Sequence, residues 1–195
     1  SSLVENVREV VRLEPQDPLI VESFDSSTSV SAPLLPRPES RPTQLQIVSI
    51  VPFDPAGNDQ VEHPEKIDLI NNGDSNTGWY TERYTTSDFG KLKDGVGLII
   101  SLGPPQQLDR LRISSPTIDW SFEIFASENT GGGIQSWGEP IASRSEVSGT
   151  TTVNLNDTPG ATLLLWITSL GRELAAGGHR VTVTEVSVSG RPKYG

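Results

Sequence analysis

The chain alternates short apolar runs with clusters of turn-forming residues, and this pattern predicts strands. In the last such run Val181, Val183, Glu185, Ser187 and Ser189 fall on one face, and Thr182, Thr184, Val186 and Val188 on the other. Neither face is wholly apolar, as expected of an edge strand whose two ends meet different surroundings. Further runs lie at 46–51, 96–102, 109–114, 121–126, 151–155 and 163–169, and 180–189 completes the set. Between them stand Gly103-Pro104-Pro105, Ser115-Pro116, Thr130-Gly131-Gly132-Gly133, Asp157-Thr158-Pro159-Gly160 and Ala175-Ala176-Gly177-Gly178, all turn signals. Strands bounded in this way, with no long helical pattern and no internal repeat, predict an all-β sandwich.

The first residues read differently. Leu3, Val4, Val7, Val10 and Val11 have helical spacing, with Glu5, Arg8, Glu9 and Arg12 between them. A short amphipathic helix fits this spacing, and the valines suit a strand equally. From 23 to 42 the chain is rich in Ser, Thr and Pro, the composition of an extended linker. Three parts are therefore expected: an N-terminal stalk or linker over 1–44, the sandwich over 45–190 and a tail over 191–195. The chain opens Ser1-Ser2-Leu3 and contains no Met, so a fragment of a longer protein is expected.

Charge narrows the partners. Fifteen basic against 25 acidic residues give a net charge of −10, which repels nucleic-acid phosphates and anionic lipid heads. The segment 51–94 holds nine acidic and four basic residues, making it the place where a cation would most readily sit. The absence of Cys removes disulfides, thiol nucleophiles and Cys-based zinc sites. The sequence has neither an apolar run long enough to span a bilayer nor a signal segment, so any membrane anchor is expected outside this chain.

The most informative stretch is Leu69-Ile70-Asn71-Asn72-Gly73-Asp74-Ser75-Asn76-Thr77-Gly78-Trp79. It resembles the D-G-[DN]-x-x-T-x-W signature of discoidin-like domains, also called galactose-binding-like, coagulation-factor C-type or carbohydrate-binding-module-like jelly rolls. Leu102-Gly103, the strands near 108–113 and 121–126, and the closing Thr184–Val188 stretch follow the same outline over about 45–190. Within it, 77–84 and 89–98 are similar to the extracytoplasmic C-terminal domain of actinobacterial MurJ/MviN cell-wall proteins. The resemblance implies a jelly-roll β-sandwich, and residues 1–44 would then be the stalk above a membrane anchor.

Calcium-bearing members of the family hold one ion in the signature loop. Carried over to this chain, the ligands would be the side chains of Asn72, Thr77 and Glu185 and the main-chain oxygens of Leu69, Asp74 and Thr184. Asn72 stands where the family has Asp, which keeps an oxygen but removes a full charge. The other reading is a metal-free Asx-type turn with Trp79 anchored in the core.

Other chemistry is thin. His63 and His179 stand in no metal-binding spacing and are expected in loops. Glu82, Asp88, Asp94 and Asp119 are expected to be solvated charges, and no nucleophile, base and oxyanion site assemble. Trp79, Trp137 and Trp166 are expected in or at the core, whereas the position of Trp120 is left open. For ligand binding, Tyr80, Glu82, Arg83 and Tyr84 stand out, because loop aromatics beside an Arg both stack and form paired hydrogen bonds; the plainer alternative is that the tyrosines pack inward.

The expectation is thus a non-catalytic, extracytoplasmic binding domain of a cell-envelope membrane protein in peptidoglycan biosynthesis, recognising a glycan or peptidoglycan precursor. The alternatives are a structural or protein-interaction module of an envelope complex without a small-molecule ligand, and an accessory carbohydrate-binding module of a secreted hydrolase.

Overall fold

The computed structural model describes residues 41–58, 62–129, 132–172 and 177–193, all within the compact unit Glu39–Gly195. The helix or strand expected over 3–13, and the linker up to residue 40, lie outside the described residues. The strands are β1 (Thr43–Gln44), β2 (Ser49–Phe53), β3 (Trp79–Tyr80), β4 (Val96–Ser127), β5 (Ala142–Ser169), β6 (Thr182–Val183) and β7 (Glu185–Pro192). Short 3-10 turns at Pro64–Leu69, Phe89–Lys91 and Ile134–Trp137 complete the elements. No helix among the described residues is long and apolar enough to cross a membrane.

The sandwich arises because β4 and β5 are long and bent, and pair over several separate stretches. The start of β4 lies between β2 and the end of β5, with Ile100 opposite both Ile50 and Leu163. The end of β4 returns along the other side of that same β5 stretch, where Ile124 faces Leu165. The middle of β4 pairs instead with β7 and with the first half of β5, so that Leu111 is opposite both Val188 and Val153. Register shifts between Ser101 and Gln106 and between Ser115 and Trp120 mark the bends where the chain passes from one layer to the other.

Alternation along these strands builds the core. Leu98, Ile100, Leu163, Leu165, Ile167, Phe122 and Ile124 from one layer meet Leu111, Ile113, Val153, Leu155, Val186 and Val188 from the other, all of them buried. Removing so many aliphatic side chains from water, each contributing about 1.5–3 kcal/mol, explains how the fold stands without a disulfide. Trp120 is wholly buried beside Phe122, with ring centroids 4.9 Å apart, so the tryptophan left open by the sequence is a core residue.

The two outer faces differ. On the first layer Phe125, Leu164 and Trp166 point outward and are covered by Trp137, with Ile134 and Phe53 packed alongside. On the second layer the outward positions are polar, among them Arg110, Arg112, Ser114, Thr152, Asn154, Ser187 and Ser189.

Two details depart from the sequence reading. Thr43 and Gln44, placed in the stalk, pair with Gly190 and Ser189, and β7 runs on to Pro192. The sheet thus starts two residues before the expected boundary at 45 and ends inside the expected tail. The last strand is also not an edge: β4 flanks it on one side and β1 on the other. Its mixed faces have another cause, a phase slip at Thr184, which is buried along with its neighbour Val183. Val181 and Val183 point inward before the slip, Val186 and Val188 after it.

Candidate functional site

β3 positions the first group of residues singled out in the sequence. It pairs with β6, with Trp79 opposite Val183 and Tyr80 opposite Thr182. Gly78 approaches β6 so closely that a Cβ there would sit 2.3 Å from the Val183 carbonyl oxygen, so no other residue fits without displacing backbone. Trp79 is fully buried, and its indole N–H donates to the Glu62 carbonyl at 2.7 Å.

Successive strand residues point to opposite faces, and Tyr80 accordingly turns outward. Its ring packs against His63, with centroids 4.7 Å apart, and lies 4.4 Å from the Arg180 guanidinium. His63 in turn lies between two carboxylates, with Glu82 Oε1 3.2 Å from Nε2 and Glu65 Oε1 3.2 Å from Nδ1. Arg83 is exposed and donates to the Gly177 carbonyl. Tyr80 and Glu82 therefore share a loop surface to which the fold adds His63 and Arg180, while Arg83 is held to the turn at Gly177.

Tyr84 departs from this group. Its hydroxyl donates to Glu62 Oε1 at 2.6 Å, and its ring meets Phe89 edge-on at 5.3 Å. Glu62 is almost fully buried and centres a network beneath the loop surface. Its Oε1 also accepts from Lys93 Nζ at 2.9 Å and its Oε2 from the Glu82 backbone N–H at 3.0 Å. Lys93 donates as well to buried Asp54, whose Oδ1 takes the backbone N–H groups of Ala56 and Gly57 at 3.3 and 3.0 Å. Buried carboxylates of this kind are tolerable only when paired.

Burial pushes the Tyr84 hydroxyl up, and the hydrogen bond to Glu62 adds to this, to about 12. Burial alone would lower Lys93; the hydrogen bonds to Asp54, Tyr84 and Glu62 outweigh it and hold the ammonium above its ordinary range. Asp54, Glu62 and Lys93 escaped the sequence reading, because the pairs they form span 22 to 39 positions and leave no local pattern.

The signature loop, 69–79, closes on itself. Asn72 Oδ1 accepts the Asp74 backbone N–H at 2.9 Å, and Asn72 Nδ2 donates to Thr77 Oγ1 at 2.8 Å. Thr77 donates through both its backbone N–H and its hydroxyl to the Asp74 carbonyl, each at 3.1 Å. The Thr184 carbonyl accepts the Asn71 N–H at 3.0 Å. Glu185 is exposed, with Ser114 Oγ at 3.5 Å.

A calcium ion needs oxygen lone pairs converging on one point. Here the bond to Asp74 N–H fixes the Asn72 amide so that its proton-bearing nitrogen faces Thr77. The Asp74 and Thr184 carbonyls, both in the expected ligand set, are already engaged. In this arrangement the Asn72 side-chain oxygen and the Asp74 and Thr184 carbonyls each accept a hydrogen bond, and no role is derived through an ion.

No protein-family model matches the sequence, and no curated protein is significantly similar to it. Solved structures share its fold. A truncated AlyQ chain with CBM32 and alginate lyase domains aligns with a TM-score of 0.52 at 12% identity, over 79% of this chain and 34% of that one. Chitosan-binding module 1 from a chitosanase/glucanase of Paenibacillus sp. IK-5, in a selenomethionine-labelled mutant form, aligns at 0.50 with 15% identity, over 75% and 96% of the two chains. A Ruminococcus gnavus GH29 fucosidase aligns at 0.47 with 12% identity, over 65% of this chain and 22% of its own. The chain thus spans about a fifth to a third of the fucosidase and lyase chains and nearly all of the chitosan-binding module. The architecture is the jelly-roll β-sandwich fold of these two chains.

Proposed function

We propose that this domain is a non-catalytic glycan-binding module whose ligand surface is the loop cluster of Tyr80, Glu82 and Arg83 with His63 and Arg180. The observation that carries the reading is the construction of that surface. Exposed hydrogen-bonding side chains sit on a rigid, buried network of Glu62, Lys93, Asp54 and Tyr84, and binding residues concentrate on loops held by such scaffolds. The carboxylate of Glu82 and the guanidinium of Arg83 supply acceptors and donors for sugar hydroxyls. The likeness to a chitosan-binding module supports a saccharide as the ligand class.

In its fuller form the proposal places the domain outside the cytoplasm on a membrane protein of peptidoglycan synthesis, with a glycan or peptidoglycan precursor as ligand. The residues at 77–84 and 89–98 support that setting through their similarity to the MurJ/MviN-type domain. A second setting, an accessory module of a secreted polysaccharide-degrading enzyme, is favoured by the AlyQ chain, in which a CBM32 domain accompanies an alginate lyase domain.

The test is a glycan array that includes peptidoglycan fragments, probed with the full chain and followed by calorimetry on the best ligand. Saturable binding that weakens in Glu82→Ala and Arg83→Ala supports the proposal. A chain that binds no glycan, yet captures a defined envelope protein, would replace it with an interaction module.

A further inference from the structure

We infer a second ligand surface, on the outer face of the layer formed by β7, the middle of β4 and the first half of β5, shaped for a carboxylate-bearing glycan. The inward positions of these strands, Leu111, Ile113, Val153, Val186 and Val188, are all buried, so alternation sends the residues between them outward. Register then sets three cross-strand rows. Arg110 lies opposite Ser189 and Asn154, Arg112 opposite Ser187 and Thr152, and Ser114 opposite Glu185 and Thr150. Two adjoining hollows of about 370 and 260 Å³ open over these rows, and Gln44, Arg112 and Ser187 line both.

The two arginines are held differently. Arg110 Nε is 3.5 Å from Asp109 Oδ2. Arg112 is exposed on the midline of the groove, with no hydrogen bond or ion pair among the described residues. In a chain of net charge −10, an uncommitted guanidinium at the centre of an open groove is a local positive centre. Guanidinium planes bind carboxylates through paired hydrogen bonds. The flanking Ser187 and Thr152 offer hydroxyls that both donate and accept, as sugar hydroxyls do, while Ser189 donates to Asp109 and Thr150 pairs with Ser114.

None of the row residues is aromatic, so stacking against an apolar pyranose face is not available and recognition must be by charge and hydrogen bonding. Glu185 adds polarity. It sits one row beyond Arg112, about 7 Å along the strand, where it repels a second carboxylate and accepts hydroxyls. The groove therefore suits a uronic-acid carboxylate over Arg110 and Arg112 with the hydroxyl edge of the next unit over Glu185. The choice of a glycan over another polyanion rests on the glycan-binding reading above, but the surface is separate from the loop cluster.

The experiment is affinity electrophoresis and calorimetry of the full chain with polygalacturonate, dextran and poly-glutamate, repeated on Arg112→Ala, Arg112→Lys and Gln135→Ala. Expected is binding to polygalacturonate that weakens with salt, falls roughly 10- to 100-fold in Arg112→Ala, falls less in Arg112→Lys and is unchanged in Gln135→Ala, a substitution on the exposed turn of the other layer. The inference is overturned if polygalacturonate does not bind, if Arg112→Ala binds it as the parent does, or if poly-glutamate binds equally well. Glycan-array binding that depends on Glu82, with none to polygalacturonate, would remove this groove and leave the loop site standing. No binding to any glycan would remove both.

Discussion

Asn71 pairs with Val186 through both ends of its side-chain amide: Oδ1 accepts the Val186 N–H at 2.8 Å, and Nδ2 donates to the Val186 carbonyl at 2.9 Å. The amide stands in for a strand at the place where β1 has ended. Thr43 and Gln44 pair with Gly190 and Ser189, and Leu45 N–H reaches the Val188 carbonyl at 2.8 Å. One side chain thus continues the cover over an otherwise open strand edge, and it ties the signature loop to β7.

Asn71 also adopts a left-handed backbone, with φ of 61°, which Asn tolerates and Ala does not. Two substitutions therefore separate the contributions. Asn71→Gly keeps the backbone and loses the paired hydrogen bonds, at a cost of about 1–2 kcal/mol. Asn71→Ala loses the bonds and adds strain, for about 2–4 kcal/mol. Chemical denaturation measures both, and equal stability of the two variants would contradict the assignment.

Lys93 and Tyr84 dictate a loss of stability in alkali. In the unfolded chain both release their protons from about pH 10 upward, whereas the fold holds both protons to higher pH, to about 12 for Tyr84. Over that interval the unfolded state binds fewer protons, so stability falls as pH rises. The contribution is fully present below about pH 10 and is lost as the folded groups titrate. Melting curves from about pH 8 to about 12 should show this decline, and Tyr84→Phe should make it shallower; an unchanged slope in Tyr84→Phe would remove Tyr84 from the network.

The loop 69–79 is expected to behave the same with and without calcium. An ion held at about a hundred times its dissociation constant would add about 2.7 kcal/mol to the folded state, an effect that melting curves resolve easily. Identical melts in millimolar calcium and in chelator are the expected result. A saturable calcium heat that disappears in Asn72→Ala and Glu185→Ala would restore the family-type ion site.

The strands were legible in the sequence because burial on one face imposes a period of two, and because Gly and Pro clusters bound each run. The joining of those runs into the continuous, bent β4 and β5 was not, since it depends on which stretches meet in space. Thr43-Gln44 carries no apolar signal; backbone pairing with β7 alone makes it a strand. The signature pattern singles out Asn72, whereas Asn71 makes the tertiary tie across 115 positions. Tyr80, Glu82 and Arg83 could be named from local composition. Their partners could not: Arg180 reaches Tyr80 through the pairing of β3 with β6, and His63 through the docking of its segment on β3, where the Trp79 indole holds the Glu62 carbonyl.

The most direct test of the account is a binding isotherm of the full chain against the best glycan from an array that includes peptidoglycan fragments, measured alongside Glu82→Ala and Arg83→Ala. The account predicts saturable binding that weakens by roughly tenfold or more in each variant, as loss of a charged hydrogen bond requires, with melting temperatures unchanged. Undiminished affinity in both variants, or no glycan bound at all, would contradict it.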